Sequence, residues 1–220
     1  MSLFRLLDGA ARVLGRALQG FLLWFLFVQT VVRLVRRYWH FPAPPIVRLF
    51  LTSRLRRAMQ PPDQVVDRSG IGPGMNILEL GCGPGTFTLE AARRVGSSGR
   101  VVAVDIEPRM IQQLGEAVDR AGITNVEIRL ADAYDLPAAD ASVDVAFMVG
   151  VLAEIPDRQR ALAEVKRVLK PEGLLSVSEL LIDPDYPRRS TVTGWCREAG
   201  FVLEGSYGSF FEYTLTFRPA

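Results

Sequence analysis

From Asp63 onward, short apolar runs alternate with stretches of helical period, the pattern of a parallel sheet covered on both faces. The runs predict strands at Asn76–Leu80, Arg100–Asp105, Val126–Leu130, Asp144–Val149 and Leu174–Glu179. Helices are predicted at Thr86–Val95, Pro108–Ala121, Asp157–Leu169 and Thr191–Ala199. A favourable proline opens the second, Lys170-Pro-Glu-Gly173 ends the third, and Gly200 caps the fourth. Phe201–Phe217 reads as a closing hairpin. The sum is an α/β fold, a doubly wound, mostly parallel sheet of seven strands. Such sheets bind ligands at the carboxyl ends of their strands, where the strand order reverses.

The first 60 residues follow another pattern. Met1 to His40 has helical period and no proline before Pro42. At ~100° per residue, Arg5, Arg12, Arg16, Gln19, Arg33, Arg36, Arg37 and His40 fall on one half of the helix, and Leu3, Leu7, Leu14, Phe21, Phe25 and Val32 on the other. Between Gly20 and Val28 the polar half vanishes, because Leu22, Leu23 and Leu26 occupy it. The uncharged run Ala17–Val32 would span about 24 Å at ~1.5 Å per residue, short of the ~20 residues of a usual membrane crossing. Arginines flank it on both sides and no small-x-small cleavage site follows, which argues against a secretory signal. The best-fitting arrangement lies flat in a membrane interface, apolar side down and arginines at the phosphates. A short span, or a buried or dimer-forming helix, are the alternatives. Phe41-Pro-Ala-Pro-Pro45 breaks the helix. A second basic amphipathic helix, a connector or else a membrane contact or lid, is predicted from Ile46 to Met59, closed by Pro61-Pro62.

Charge sharpens this division. The net charge of +2 conceals a chain whose residues 1–60 hold ten arginines against one acid, Asp8. The remaining residues hold sixteen basic and twenty-three acidic side chains. A basic arm on an acidic body suits a surface rich in phosphate. Two domains are therefore expected, a helical membrane arm at 1–60 and a ligand-binding body at 61–220. Two cysteines, Cys82 and Cys196, and one histidine, His40, cannot build a zinc ribbon or a disulfide framework, and no metal site is expected. Triad catalysis would need that single histidine, which lies in the arm.

The candidate chemistry centres on Gly81-x-Gly83-x-Gly85, a turn between the first strand and its helix. Glycines let backbone approach a ligand closely. A dinucleotide fingerprint would need Gly or Ala where Thr86 stands, and a P-loop would need Gly-Lys-Ser/Thr. Three successive strands carry acids at their far ends: Glu79 near the end of the first, Asp105 ending the second, placed to accept from ribose hydroxyls, and Asp132 after the third, in reach of an adenine amino group.

These stretches carry a resemblance. Ile71-Gly-Pro-Gly-Met-Asn-Ile-Leu-Glu-Leu-Gly-Cys-Gly-Pro-Gly85, Val102-Ala-Val-Asp105, Asp132-Ala-Tyr-Asp-Leu-Pro137 and Ala161–Gly173 together resemble the class I S-adenosylmethionine-dependent methyltransferases over residues 63–217. They look most like the subgroup acting on quinones, sterols and phospholipid head groups. The resemblance implies a Rossmann-like methyltransferase fold with S-adenosylmethionine as cofactor and S-adenosylhomocysteine as product. It implies that Glu79, Gly81, Cys82, Gly83 and Gly85 hold the methionine end, Asp105 the ribose, Ile106 one adenine face, and Asp132 with Ala133 the adenine rim. Val149 and Gly150 would close over the sulfonium.

Where relatives often carry histidines after the fourth strand, this chain has Gly150-Val-Leu-Ala-Glu-Ile-Pro156. The candidate bases are therefore Glu154, Glu179 and Asp183, with Tyr186 as orienter; Glu154, Asp183 and Tyr186 form the expected catalytic set. Only Leu180–Ser190 separates the fifth strand from the last helix, where many relatives insert a substrate cap. Cover for the acceptor is then expected from the N-terminal helices. The expected partners are anionic lipids through residues 1–40 and a lipophilic small-molecule acceptor, at the cytoplasmic face of a membrane, with self-association through the arm a further option. The rival readings are a nucleic-acid or soluble small-molecule methyltransferase, a non-catalytic scaffold, and a dehydrogenase. The apolar Gly20–Val28 block and the absence of exposed aromatic stacking strands disfavour nucleic acid.

Overall fold

The computed structural model describes Gly15, Arg16, Gln19, Gly20, Leu23, Phe27, Val31 and residues 54–220 except Pro184. The chain divides into two compact units, Met1–Ala43 and Pro44–Ala220. In the first, every described residue is helical and exposed. Arg16, Gln19, Leu23, Phe27 and Val31 follow one another at three- or four-residue steps, so they share one helix face that turns from polar to apolar. The remainder of the predicted helix Met1–His40, and Ile46–Ser53 of the second, lie outside the described residues. Among the described residues no helix is long and apolar enough to cross a membrane.

The second unit begins with α1 (Arg54–Met59) and α2 (Pro62–Arg68). Helix α2 corrects the expectation that Pro61-Pro62 only closes a helix: Pro62 sits in its first turn, where its fixed φ suits the helix and its missing N–H is no loss. There follow β1 (Asn76–Leu80), α3 (Thr88–Val95), β2 (Arg100–Asp105), α4 (Pro108–Ala121) and β3 (Val126–Leu130). Then come β4 (Val143–Val149), α5 (Arg158–Val168), β5 (Leu169–Leu180), α6 (Arg189–Glu198), β6 (Phe201–Gly208) and β7 (Glu212–Pro219). The seven strands run in the order β3-β2-β1-β4-β5-β7-β6, parallel except for β7. The order reverses between β1 and β4.

Several boundaries differ from the sequence reading. The helix expected from Thr86 starts at Thr88, because Thr86 and Phe87 form a turn that buries the Phe87 ring against Val66 and Ala91. Asp157 is not the first residue of α5 but its cap, its carboxylate accepting from Arg160 N at 3.1 Å. Leu169 leaves that helix to pair with Val143, so β5 begins five residues earlier than expected and absorbs Lys170–Gly173 as an irregularity in register. The last helix starts at Arg189, whose guanidinium bonds Ser206 Oγ and the carbonyls of Tyr207 and Ser209 across the hairpin.

The apolar faces explain the layers. Ile77, Val101, Val145 and Phe147 project onto Val65, Val66, Ala91 and Val95 of α2 and α3. Leu78, Ala146, Leu175 and Val177 project onto Leu162, Val165, Val192 and Cys196 of α5 and α6. Burying such side chains on both faces leaves the carboxyl ends of the strands as the place where polar side chains can meet a ligand.

Candidate functional site

At the end of β1 the chain turns through Gly81, Gly83 and Gly85, all at positive φ. The amides of Gly81 and Cys82 both donate to Val104 O, at 2.8 and 3.0 Å, which locks the turn to the end of β2. A Cβ on Gly85 would stand 2.5 Å from Leu114 Cδ1, so only glycine lets α4 pack here. At Gly83 the reverse holds: nothing lies within 4 Å of where its Cβ would be, and the backbone faces open space. Asp105 braces this cradle, accepting from Gly83 N at 2.8 Å through one oxygen and from Glu107 N at 2.9 Å through the other.

Beneath the turn lies Glu79, 2% exposed, with Oε2 lacking any hydrogen-bond partner. Burial pushes its carboxyl up to about 8, and the charge of Asp105 adds to that. The buried Thr88 hydroxyl offsets part of the rise, although it forms no hydrogen bond of good geometry. A buried carboxyl with one orphaned oxygen is costly unless a donor, best a cationic one, completes it. Ile106 is 70% exposed beside Asp105, a bare apolar surface suited to a flat ring. Asp132 and Ala133 follow β3, tied to the same corner by the Ala131 N to Asp105 O bond of 3.1 Å. Asp132 is exposed and accepts from Tyr134 N at 3.1 Å. The structure thus brings together Glu79, the three glycines, Asp105, Ile106, Asp132 and Ala133. Cys82 joins them by backbone alone: its thiol is buried with Ala103, Leu114 and Val118, and burial raises its pKa.

Across the reversal point, β4 ends at Val149, and the N–H of the following Gly150 donates to Ser178 O at 2.8 Å. Asp183 reaches over this glycine, its Oδ2 only 3.1 Å from where a Gly150 Cβ would lie. That oxygen has no partner, while Oδ1 accepts from Arg56 Nη1 at 3.0 Å. Arg56 itself is 3% exposed and also bonds Gln60 Oε1 at 3.4 Å. Burial holds the Asp183 carboxyl above its ordinary pKa, and the Arg56 charge restrains the rise. Glu179 is fully buried nearby, with Oε1 unpartnered and its pKa raised well above normal by burial and by the charges of Asp183 and Glu154. Glu154 is exposed. Tyr186 spends its hydroxyl on Phe210 O at 2.5 Å, so its position is fixed by the β6–β7 turn.

Arg56, Gln60 and Thr88 are site residues that sequence reasoning did not single out. No spacing along the chain relates residue 56 to residue 183; the pair exists only because α1 packs at the end of β5. An open depression of about 540 Å³ lined by Arg100, Asn125 and Glu127 lies at the opposite, amino end of the sheet, away from all these groups.

The donor set fits S-adenosylmethionine. An orphaned acid answers a cationic methionine end, open backbone at Gly83 admits close approach, and Asp105 with Asp132 offers acceptors to ribose and adenine. Comparison with known proteins points the same way. A family model described as a methyltransferase domain matches residues 71–211. A ubiquinone/menaquinone biosynthesis C-methyltransferase of Idiomarina loihiensis is 37% identical over 115 residues, 52% of this chain and 46% of the relative. An arsenite methyltransferase of Halobacterium salinarum is 36% identical over 119 residues, 54% of this chain and 30% of the relative. The chain spans less than half the length of these curated relatives. Among solved structures, an S-adenosylmethionine-dependent methyltransferase from Aquifex aeolicus superposes with a TM-score of 0.76 at 23% identity, covering 81% of this chain and 100% of that one. With its fold, its glycine turn and a family match over most of the second unit, the chain belongs to the class I methyltransferase-domain family, whose cofactor is S-adenosylmethionine.

Proposed function

We propose that the protein transfers a methyl group from S-adenosylmethionine to a lipophilic acceptor, an isoprenoid quinone or a phospholipid head group, at an anionic membrane surface. The observation that carries the methyl-transfer reading is the orphaned, buried Glu79 carboxyl beneath an open glycine turn braced by Asp105. Bound there, the cofactor supplies an electrophilic methyl on a cationic sulfur. Glu79 and Asp105 bind and orient; Gly150 and the overlying Asp183 border the acceptor side. With one oxygen held by Arg56 and the other unpartnered, Asp183 can accept a proton or a hydrogen bond from an acceptor hydroxyl or enol. The kinship with quinone C-methyltransferases and the basic, apolar arm support the lipophilic acceptor and the membrane.

The arsenite relative motivates a second reading. Arsenic(III) is a soft centre that favours thiolate ligands. The two cysteines here are buried in separate clusters with thiol pKa values raised by burial, which disfavours it. The test is mass spectrometry of a lipid extract incubated with the protein and methyl-labelled cofactor. Label in a quinone or phospholipid is the expected result. Label in no lipid while arsenite is methylated would replace the reading.

A further inference from the structure

We infer that the Phe210–Phe211 tip of the β6–β7 hairpin inserts into the interfacial layer of an anionic bilayer, beside the mouth of the methyl-transfer site. The inference rests on the lipophilic-acceptor reading above and adds a lipid contact within the catalytic unit, separate from residues 1–40.

The two rings are 66% and 65% exposed, neighbours edge-on with centroids 5.9 Å apart. Adjacent large aromatics left in water mark a contact surface. Rigid hydrogen bonding holds them there. Ser209 N donates to Glu212 O at 2.7 Å, Phe211 N to Ser209 Oγ at 3.1 Å, and Leu181 N to Phe211 O at 2.8 Å. The Tyr186 hydroxyl donates to Phe210 O at 2.5 Å, and Arg189 Nη2 donates to Ser209 O at 2.9 Å. These tip groups find partners inside the protein, so they enter a water-poor layer without leaving the bonds unmade.

Position and charge select the occupant. Leu181 directly follows β5, and three residues earlier Ser178 O accepts from Gly150 N, so the tip stands at the same end of the sheet as the acceptor side of the site. Arg188 and Arg57 are exposed at this end, and α1, with Leu55 58% exposed, is tied to it by the Arg56–Asp183 pair. The acids Asp183 and Glu212 each form an ion pair, with Arg56 and Arg68. Exposed aromatic rings with arginines at the same end of the sheet suit a layer of apolar chains under anionic head groups.

The test uses the full chain carrying Phe211→Cys with a nitroxide label, since Cys82 and Cys196 are buried and the new thiol reacts selectively. Adding phosphatidylcholine/phosphatidylglycerol vesicles is expected to raise collisions of the label with oxygen and suppress those with a polar nickel complex. Phe210→Ser/Phe211→Ser is expected to weaken vesicle binding by about tenfold or more, with cofactor affinity unchanged. If the protein binds vesicles while the label stays equally open to nickel, the arm docks alone and the tip proposal falls, leaving the lipid-acceptor reading intact. Concentration-dependent protection without vesicles would assign the tip to a second copy of the chain and overturn the proposal. Insertion of the tip with no label transfer to any lipid would sustain it and remove the acceptor reading instead.

Discussion

At the residue scale the molecule turns on one carboxyl kept from its partner. Folding lifts Glu79 from an ordinary value of 4.5 to about 8, so between these values the native state holds a proton that the unfolded chain releases. Its contribution is fully present below about pH 4.5 and is lost as pH rises through about 8, with a slope of up to ~1.4 kcal/mol per unit. Glu79→Gln should flatten that decline, which denaturant melts of both proteins across this range would read out. The same substitution should weaken S-adenosylmethionine binding by about ten- to a hundredfold, the worth of a charge-assisted hydrogen bond of roughly 1.5–3 kcal/mol. Because a cationic ligand favours the carboxylate, titration calorimetry in buffers of differing ionisation enthalpy should show proton release near neutral pH for the unmodified chain. Little release is expected from the variant; equal release from both would assign the proton elsewhere. Glu79, Asp105 and Asp132 stand out as candidates in the sequence alone, because an acid near or just past the end of each of three consecutive strands has a topological meaning. Arg56 was not: its role is a meeting across the sheet's end.

Elements were readable to the extent that local pattern decides them. Strands β1, β2 and β3 and helix α4 sit at the bounds their apolar runs and proline predict, since those segments are shaped by their own sequence. Two of the misplaced ends depend on a distant partner: Leu169 becomes strand by pairing with Val143, and α6 starts two residues early where Arg189 clasps the hairpin. The polar stripe on β5 and β7 was equally hidden. Ser178 and Thr214 hydroxyls bond each other at 2.8 Å, fully buried, beside Ser69 and Ser176 bonded likewise at 2.8 Å under α2. Removing one hydroxyl strands its partner, whereas removing both does not. Thr214→Val alone should therefore cost about 1–3 kcal/mol. Ser178→Ala with Thr214→Val should cost less than the sum of the single changes, a coupling that equilibrium unfolding of the four proteins in the cycle measures. Strict additivity would mean that the two hydroxyls do not depend on each other.

For the whole molecule, the question is why an acidic catalytic unit carries a prefix with ten arginines and one acid. The reach from β5 to α6 is short, Leu181 to Arg188, so no cap is inserted between these two elements. A soluble acceptor could diffuse to the site, but a lipophilic one would have to leave the bilayer, which costs roughly 0.8 kcal/mol for each methylene brought into water. A protein held at the surface removes that barrier by bringing the site to the lipid. Deleting residues 1–40 should then weaken binding to anionic vesicles and make the residual binding salt-sensitive through the remaining arginines. It should also lower transfer to a vesicle-embedded acceptor far more than transfer to a short-chain, water-soluble analogue. The second measurement matters because the truncated chain retains Glu79, the glycine turn and Asp105, so its intrinsic chemistry is a control for its own folding. Equal losses on both acceptors would make the arm a part of the folded site, and no loss on either would leave the charge asymmetry without a role in catalysis.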